Sequence, residues 1–288
     1  MTVIDVSYGP KLAEGKTKII YAVPGSEDEL VYMVHKDAIT AGDGAKRDVI
    51  SGKGELSCRT TTAIFRYLEG KGIATHYVDT LDAHTMLVRR AEMIPVEWVA
   101  RRLATGSYVR RTGVEEGTRF DPIVLELFLK DDARHDPQIS PEEAIRSQLC
   151  SAAEVELALD MTQRVFLTLE EAWGRQDVQL VDLKIEFGRV AGRLMVADVV
   201  DNDSWRLWPG GRRERMLDKQ VYRDLTSANA EALEDVRRRY VEVARRAELF
   251  PELFVGRALR RRHEPAGRRG YPLGDAREQL PLGGQPGE

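Results

Sequence analysis

Cysteine and histidine are scarce in this 288-residue chain, which limits the chemistry that it can carry. Cys58 and Cys150 are the only cysteines. They are too few for a disulfide framework and lack metal-ligand spacing, so we expect a reducing compartment. The five histidines include no pair at the helical i, i+4 spacing, which argues against a zinc site.

Long apolar runs and an excess of positive charge are also missing. No apolar run approaches the length of a membrane span, and the N-terminus lacks an apolar core behind basic residues, so we expect no membrane partner and a cytoplasmic location. Charged residues make up 31% of the chain, yet the net charge is only -4, so nonspecific nucleic-acid binding is not expected. The length allows one large or two modest domains with a substantial core.

Residues 181–200 carry the most informative pattern. Apolar side chains at the odd positions from 181 to 187 alternate with Asp182, Lys184 and Glu186, which predicts a strand with one apolar and one charged face. A second apolar run follows two glycines and predicts an antiparallel hairpin. With a turn near residues 189–191, Asp182 would lie roughly across from Asp198, where two carboxylates repel unless a divalent cation lies between them. The alternative is a solvated polar face on an edge hairpin.

A glycine-led strand near the N-terminus places two lysines on one face. Lys16 and Lys18 alternate with apolar and hydroxyl residues after Gly15. Glycine lets the backbone approach a ligand and lysine supplies a point charge, so this pattern suits a polyphosphate. It is not a Walker A loop, and two exposed lysines on an edge strand are the alternative. A following loop brackets Asp43 with glycines and could approach a ligand or simply turn.

Basic residues cluster twice more along the chain. Residues 96–111 hold four arginines, including Arg101, around Gly106 and Ser107, an arrangement that suits a phosphomonoester because guanidinium binds phosphate bidentately. The alternative is an amphipathic helix with solvated arginines. Further downstream, Arg206 lies between two tryptophans, and Lys219 and Arg223 have i, i+4 spacing; these residues could instead be core anchors and an ordinary helix face.

The remaining chain predicts scaffold elements and one acidic cluster. Lys130 and Asp136 bound a polar run that could serve a nucleotide or a metal, or be ordinary loop chemistry. Ser140 and Ser151 each begin a capping box, which predicts a helix start. The second of these helices should extend to residue 173, and another helix should cover residues 229–249. Beyond residue 256, arginine, glycine and proline without periodicity predict a disordered tail.

Together, lysines for a polyphosphate, carboxylates for Mg²⁺ and arginines for a second phosphate indicate an ATP-dependent enzyme acting on a phosphorylated small molecule. The chain also resembles the phosphoribosylaminoimidazole-succinocarboxamide synthase (SAICAR synthetase) family. The resemblance rests on blocks in the family's order across residues 12 to about 250: EGKTKIIY, ITAGDGA, EMIPVEWVARRLATGSYVRR, ELFLKDDARHDP, LVDLKIEFG, ADVVDNDSWRLWP and DKQVYRDL.

The resemblance implies an α+β fold with two lobes, distantly like protein kinases. Residues 1–94 would form a β-rich ATP-binding lobe and residues 95–255 an α+β lobe with the metal and ribonucleotide site, before a tail at residues 256–288. The implied reaction joins L-aspartate to carboxyaminoimidazole ribonucleotide through an acyl phosphate, with ATP and Mg²⁺ as cofactors, in purine biosynthesis. A homo-oligomer is compatible with this interpretation.

The resemblance also implies roles for individual residues. Those expected at ATP are Lys16, Lys18, Lys130 and, beside adenine, Met93. Those expected at the substrates are Asp43, Arg101, Ser107, Asp136, Arg206, Lys219 and Arg223. The metal would be bound by Asp182 and Asp198, and the reacting centre would be formed by Lys184, Glu186 and Asp198.

The chain departs from the family's sequence pattern at one position, and two alternative functions stay open. Many bacterial members have glutamate directly after the aspartate that Asp198 matches. Here Val199 follows instead, as in the synthetase half of the animal bifunctional enzyme, so no role of that glutamate transfers. The rival enzyme is a small-molecule kinase on the related fold, phosphorylating an alcohol such as an inositol phosphate. A non-enzymatic alternative is an arginine-rich nucleic-acid binder, which predicts steeply salt-dependent binding.

Overall fold

Alternating side chains in the first 90 residues build an antiparallel sheet. A computed structural model describes residues 6–26, 29–42 and 45–250 of the protein; Asp43 and the expected tail at residues 256–288 lie outside them. The elements of this part are β1 (Lys11–Glu14), β2 (Lys18–Ala22), β3 (Leu30–His35), β4 (Ala38–Ala41), β5 (Lys46–Val49), α1 (Lys53–Gly70), β6 (Tyr77–Thr80) and β7 (Thr85–Arg89). The sheet has the order β1-β2-β3-β7-β6, while β4 and β5 pair as a separate hairpin.

A second antiparallel sheet is built from the rest of the described chain. Its strands are β8 (Glu92–Leu103), β9 (Arg119–Leu129), β10 (Gln138–Ile139), β11 (Val178–Val190), β12 (Arg193–Ala197) and β13 (Trp205–Pro209). The order is β10-β9-β8-β11-β12, and β13 pairs with the first half of β11. The helices are α2 (Gly106–Thr112), α3 (Pro141–Arg146), α4 (Ala152–Gly174), α5 (Gln220–Asp224) and α6 (Ala230–Ala247), with short 3-10 turns at Asp132–Arg134 and Arg213–Arg215. The mixed architecture confirms the expected α+β class.

Local sequence signals explain where the long helices begin. Both predicted capping boxes are present: Ser140 accepts the amide of Glu143, and Ser151 that of Glu154, while each glutamate accepts the serine amide in return. These bonds satisfy amides that the first helical turn leaves unpaired. The apolar face of α4 then packs on β11 and β8, so α4 closes one side of the second sheet. Among the described residues, no helix is long and apolar enough to cross a membrane.

Strand β11 is central, and this changes the predicted hairpin in two ways. It pairs with β8 on one side and with β12 and β13 on the other, so the edge-strand alternative is wrong. Its turn is the two-residue segment Ala191 and Gly192, both at positive φ, as in the tight turns that match strand twist. Glu186 therefore pairs with Ala197. The predicted pairing of Asp182 with Asp198 is wrong because the turn lies further along the chain than expected.

Strand β8 occupies a stretch for which an arginine-rich helix was one of the two predictions. Arg101 and Arg102 belong to this strand, and only the seven residues of α2 are helical, so a long arginine-rich amphipathic helix does not form. Pro95 lies within β8 where its pairing with β11 shifts register, a position that tolerates the missing amide. The domain boundary expected at residues 94 and 95 stays a prediction, and β8 runs across it.

Candidate active site

A polar cleft of about 1470 Å³ is lined by residues from both sheets and from the β4–β5 hairpin. The first sheet contributes Lys18, the hairpin Thr40, and β11 contributes Lys184 and Glu186. A smaller cavity of about 320 Å³ shares part of this lining and reaches Arg101 and Asp182. The alternation of β11 explains the arrangement, because its odd-numbered apolar residues are buried in the core while the charged set faces the cleft.

Lysines and carboxylates alternate at the centre of the cleft. Lys18 on β2 binds Asp198, which follows β12. Lys130, after β9, lies 2.6 Å from Glu186, measured from Nζ to Oε2. Lys184 lies 2.5 Å from Oε1 of Glu97 on β8. Five segments of the chain therefore bring their charges to one place.

Burial and neighbouring charges set the protonation of this centre. Burial alone would raise the pKa of Asp198, but the ammonium groups of Lys18, Lys130 and Lys184 outweigh it and hold that pKa at about 2. Glu186 shows the opposite result: burial and the charge of Asp198 raise its pKa despite the two nearby lysines. Burial would lower the pKa of Lys184, but Glu97 and Glu186 raise it above its ordinary value. Lys184 is therefore charged at neutral pH.

The backbone at Asp198 has a left-handed conformation and a hydrogen bond to a buried histidine. Its φ is +63°, a left-handed conformation that aspartate tolerates better than most residues. Its carbonyl oxygen lies 3.1 Å from Nε2 of His76. A carbonyl oxygen only accepts, so Nε2 carries the proton; burial lowers the pKa of His76 to about 4 and keeps the ring neutral.

Asp182 joins an arginine cluster rather than pairing with Asp198. Its Oδ2 accepts from Nη1 of Arg101 at 2.8 Å, from the hydroxyl of Thr105 at 3.0 Å and from Arg206. Burial raises its pKa, but Arg206 and Arg101 outweigh that and lower it. The predicted role of Asp182 as a metal ligand stays a prediction, and its Oδ2 is occupied by two guanidinium groups and a hydroxyl.

The same cluster contains Ser107 and requires a glycine before it. Nη2 of Arg101 lies 3.3 Å from the Oγ of Ser107. Gly106 has a φ of +55°, and a Cβ at this position would lie 2.5 Å from Nη2 of Arg206. The left-handed backbone conformation explains why glycine occupies this position.

A second carboxylate network supports the far side of the cleft. Asp203 accepts from Nζ of Lys219 at 3.0 Å and from the hydroxyl of Tyr240 on α6 at 3.0 Å. The buried Lys53 on α1 lies 3.9 Å from the same carboxylate. Burial would raise the pKa of Asp203, but Lys53 and Lys219 lower it. Lys219 is thereby held at the cleft wall.

The structure brings most of the predicted site residues together. The larger cleft is lined by Lys16, Lys18, Ser107, Lys130, Asp136, Lys184, Glu186, Asp198, Arg206, Lys219 and Arg223. Arg101 and Asp182 line the smaller cavity. Met93 lies in neither lining and is 41% exposed on β8, so its place beside adenine stays a prediction. Asp43 lies outside the described residues.

The sequence patterns did not predict several residues of the site. Glu97, Asp203, Glu126, Lys53 and Tyr240 each bond to, or lie close to, a charged residue of the site. The alternation in β11 indicated that charges line one face, but it carried no signal for their partners on other strands and helices. Only Asp203, in the run DNDSW beside the predicted hairpin, was close to a pattern already singled out.

Two carboxylates of the cleft, Glu186 and Asp198, are the candidate donors for a metal. The described residues contain no group of three or more histidine, cysteine, aspartate or glutamate side chains that could hold a metal ion. Glu186 and Asp198 do share the cleft, and the charge of Asp198 raises the pKa of Glu186. A pair of carboxylates that completes its coordination with substrate phosphates is the usual setting for Mg²⁺.

Sequence comparisons match almost the whole described chain to one protein family. A family model described as SAICAR synthetase matches residues 11–240. The phosphoribosylaminoimidazole-succinocarboxamide synthase of Roseiflexus castenholzii is 59% identical over 247 residues, covering 85% of this chain and 99% of that protein. A Drosophila melanogaster protein named bifunctional phosphoribosylaminoimidazole carboxylase/phosphoribosylaminoimidazole succinocarboxamide synthetase is 44% identical, covering 85% of this chain and 59% of its own length.

Solved structures agree with the sequence comparisons. The crystal structure of phosphoribosylaminoimidazole-succinocarboxamide synthase from Ehrlichia chaffeensis superposes with a TM-score of 0.76 at 31% identity, covering 84% of this chain and all of that one. A SAICAR synthetase in complex with ADP gives a TM-score of 0.72 at 30% identity, covering 80% of this chain and 97% of that one. By sequence and by fold, the chain belongs to the SAICAR synthetase family.

Proposed function

We propose that this cleft joins L-aspartate to carboxyaminoimidazole ribonucleotide, using ATP and releasing ADP and phosphate, as a step of purine biosynthesis. One observation carries the proposal: a lysine and carboxylate centre and an arginine and serine pocket line connected parts of one cleft. The first part suits a transferring phosphoryl group and the second suits the phosphate of a ribonucleotide. Membership of the SAICAR synthetase family supplies the substrates that fit both parts.

The lysine side of the cleft is assigned to ATP. Lys16, Lys18 and Lys130 line it and provide the positive charge that a triphosphate needs. Asp198 and Glu186 would hold Mg²⁺ together with the phosphates, and the ion would neutralise charge on them when bound. Lys18 and Lys130 already pair with these two carboxylates, so the nucleotide and its metal are expected to rearrange both pairs.

The arginine side of the cleft is assigned to the ribonucleotide. Arg101, Arg206 and Arg111 bond directly to two carboxylates, Asp182 and Glu126. A phosphate monoester beside the hydroxyl of Ser107 would accept hydrogen bonds from these guanidinium groups, which bind phosphate bidentately. Asp136, Lys219 and Arg223 are assigned to the remaining substrate contacts on the same cleft wall.

The chemistry follows from the poor reactivity of a carboxylate toward an amine. Transfer of the terminal phosphoryl group of ATP to a carboxylate oxygen of the ribonucleotide gives an acyl phosphate and ADP. The amine of aspartate then attacks the acyl carbon, and the labile phosphate leaves. Lys184 is charged and lines the cleft beside Glu186, so it would stabilise negative charge on the reacting groups, while the cleft walls align them.

The proposal is tested by measuring ADP formation while each substrate is omitted in turn. We expect ADP to form only when ATP, L-aspartate and the carboxylated ribonucleotide are all present, and the succinocarboxamide to appear with it. ADP formation from a sugar or inositol phosphate without aspartate would favour the kinase instead. Tight binding to DNA or RNA that weakens steeply with salt would favour the nucleic-acid binder. A cytoplasmic location and a homo-oligomer stay predictions.

A further inference from the structure

Glu126 is a buried carboxylate that the proposed reaction does not use. It lies on β9, is 5% exposed and lines neither cavity. Its Oε2 accepts from Nε of Arg101 at 2.6 Å, and its Oε1 accepts from Arg111 and, at 3.2 Å, from the amide nitrogen of Gln138. Each oxygen therefore holds a different arginine, and the two arginines belong to different elements.

These bonds close a ring around the arginine and serine pocket. Arg101 belongs to β8, while Arg111 belongs to α2, the short helix that also carries Ser107. Arg101 reaches Ser107 directly at 3.3 Å. Glu126 thus links β8 and α2 at a buried point outside the cavity lining, and the contact between Arg101 and Ser107 links the same two elements at the cavity.

The helix has few other contacts that could fix it. None of the seven residues of α2 is buried, so apolar packing contributes little to its position. The ring of Tyr108 packs against Phe120, and the guanidinium of Arg111 lies over Tyr108 and Phe128. Arg111 and the buried Glu126 form an ion pair between this helix and the interior of the sheet, and the guanidinium of Arg101 adds a bond to Ser107 and a position over the ring of Tyr108.

We propose that Glu126 is a positioning residue that sets the separation of Arg101 and Ser107 for the phosphate of the ribonucleotide. The inference rests on the proposed function, which places that phosphate between these two residues. Glu126 acts through geometry: one oxygen fixes Arg101 and the other holds α2 through Arg111. Shortening its side chain by one methylene should prevent it from reaching both, although its charge is unchanged.

The neighbouring pair Arg102 and Glu170 provides a matched control. Nε and Nη2 of Arg102 donate to Glu170 on α4 at 2.7 and 2.8 Å. Arg102 is the neighbour of Arg101 on β8 and its pair with Glu170 is also partly buried, but neither residue lines either of the two cavities. Glu126→Asp and Glu170→Asp therefore make the same chemical change to two arginine partners, one facing the proposed phosphate subsite and one facing α4.

The expected result is a selective change in the Michaelis constant. Glu126→Asp should raise KM for carboxyaminoimidazole ribonucleotide about tenfold and change KM for ATP by less than about twofold. Glu170→Asp should leave both constants within about twofold while lowering the melting temperature. The inference is overturned when Glu126→Asp behaves like Glu170→Asp, whether both leave the ribonucleotide KM unchanged or both raise it equally.

Two further measurements keep the test decisive. If Glu126→Asp does not fold, Arg111→Gln, which changes a partly exposed side chain, should still raise the ribonucleotide KM severalfold, and an unchanged KM would overturn the inference. If the wild-type protein shows no ribonucleotide-dependent ADP formation, the proposed function fails. Binding of inorganic phosphate, followed by calorimetry, then decides the inference: Glu126→Asp should bind it more weakly than Glu170→Asp, and equal binding would overturn it.

Discussion

Replacing Asp198 with asparagine is expected to lower kcat by about 10²–10³-fold, the effect seen when a charged or polar group that stabilises a transition state is removed. The neutral amide loses the charge that Lys18 neutralises and that would bind Mg²⁺ with the ATP phosphates. The amide keeps the size of the side chain, so we expect the protein to stay folded. Steady-state kinetics over a range of Mg²⁺ concentrations, with circular dichroism, provide the measurement.

The matched control is Asp132→Asn. Asp132 lines the same cleft and pairs with Lys16 at 2.9 Å, but both side chains are exposed, and exposed ion pairs contribute little. We expect its kcat to stay within about threefold of the wild type. Near-normal turnover of Asp198→Asn at low Mg²⁺ would contradict the metal assignment.

Replacing Lys184 with methionine is expected to lower kcat by at least about 10²-fold. The substitution removes the ammonium group between Glu97 and Glu186 and leaves these two carboxylates without it. Because Lys184 acts on groups that gain charge during the reaction, kcat should fall more than KM rises. Single-turnover measurements at saturating substrate isolate this step.

Lys36→Met serves as the comparison for Lys184. Lys36 also lines the cleft, but it donates to Glu14 and to the carbonyl of Gly15, each at 2.9 Å. Its loss should change kcat by no more than about threefold, because an exposed pair of this kind is weak. Equal losses of kcat in the two variants would show that the cleft needs positive charge in general rather than Lys184 in particular.

The sequence pattern predicted the part of the fold that depends on local chemistry. The alternation in residues 181–187 identified β11, and the serine and glutamate pairs identified the starts of α3 and α4. These signals need only neighbouring residues, because side-chain periodicity and capping bonds are local. For the same reason, Lys184 and Glu186 were correctly placed together on the cleft side of one strand.

The register of the hairpin could not be predicted in the same way. Residues 188–193 contain two glycines, and a turn at either one is compatible with the apolar pattern. The actual turn at Ala191 and Gly192 separates Asp182 from Asp198, and β8 and β13 supply the arginines that occupy Asp182. These contacts are between strands distant in sequence, and no local pattern specifies them.

Partners that complete the site from other elements were equally hidden. Glu126 occupies a mostly apolar strand, and nothing in its neighbours indicates that it holds two arginines. Val199 illustrates the reverse case: it lines the cleft beside Asp198, so the second carboxylate of the centre comes from Glu186 on β11 rather than from the next residue. The sequence pattern thus predicted the charged face of β11, while the partners of those charges depend on tertiary packing.

We expect the cleft to activate the carboxylate of the ribonucleotide by phosphorylation, and an oxygen label shows whether it does. The substrate is carboxyaminoimidazole ribonucleotide labelled with ¹⁸O in both oxygens of that carboxylate, incubated with the protein, ATP and L-aspartate. The inorganic phosphate released with ADP should carry one labelled oxygen, because the bond from carboxylate oxygen to phosphorus is kept when the amine displaces phosphate. Released phosphate without the label would contradict it.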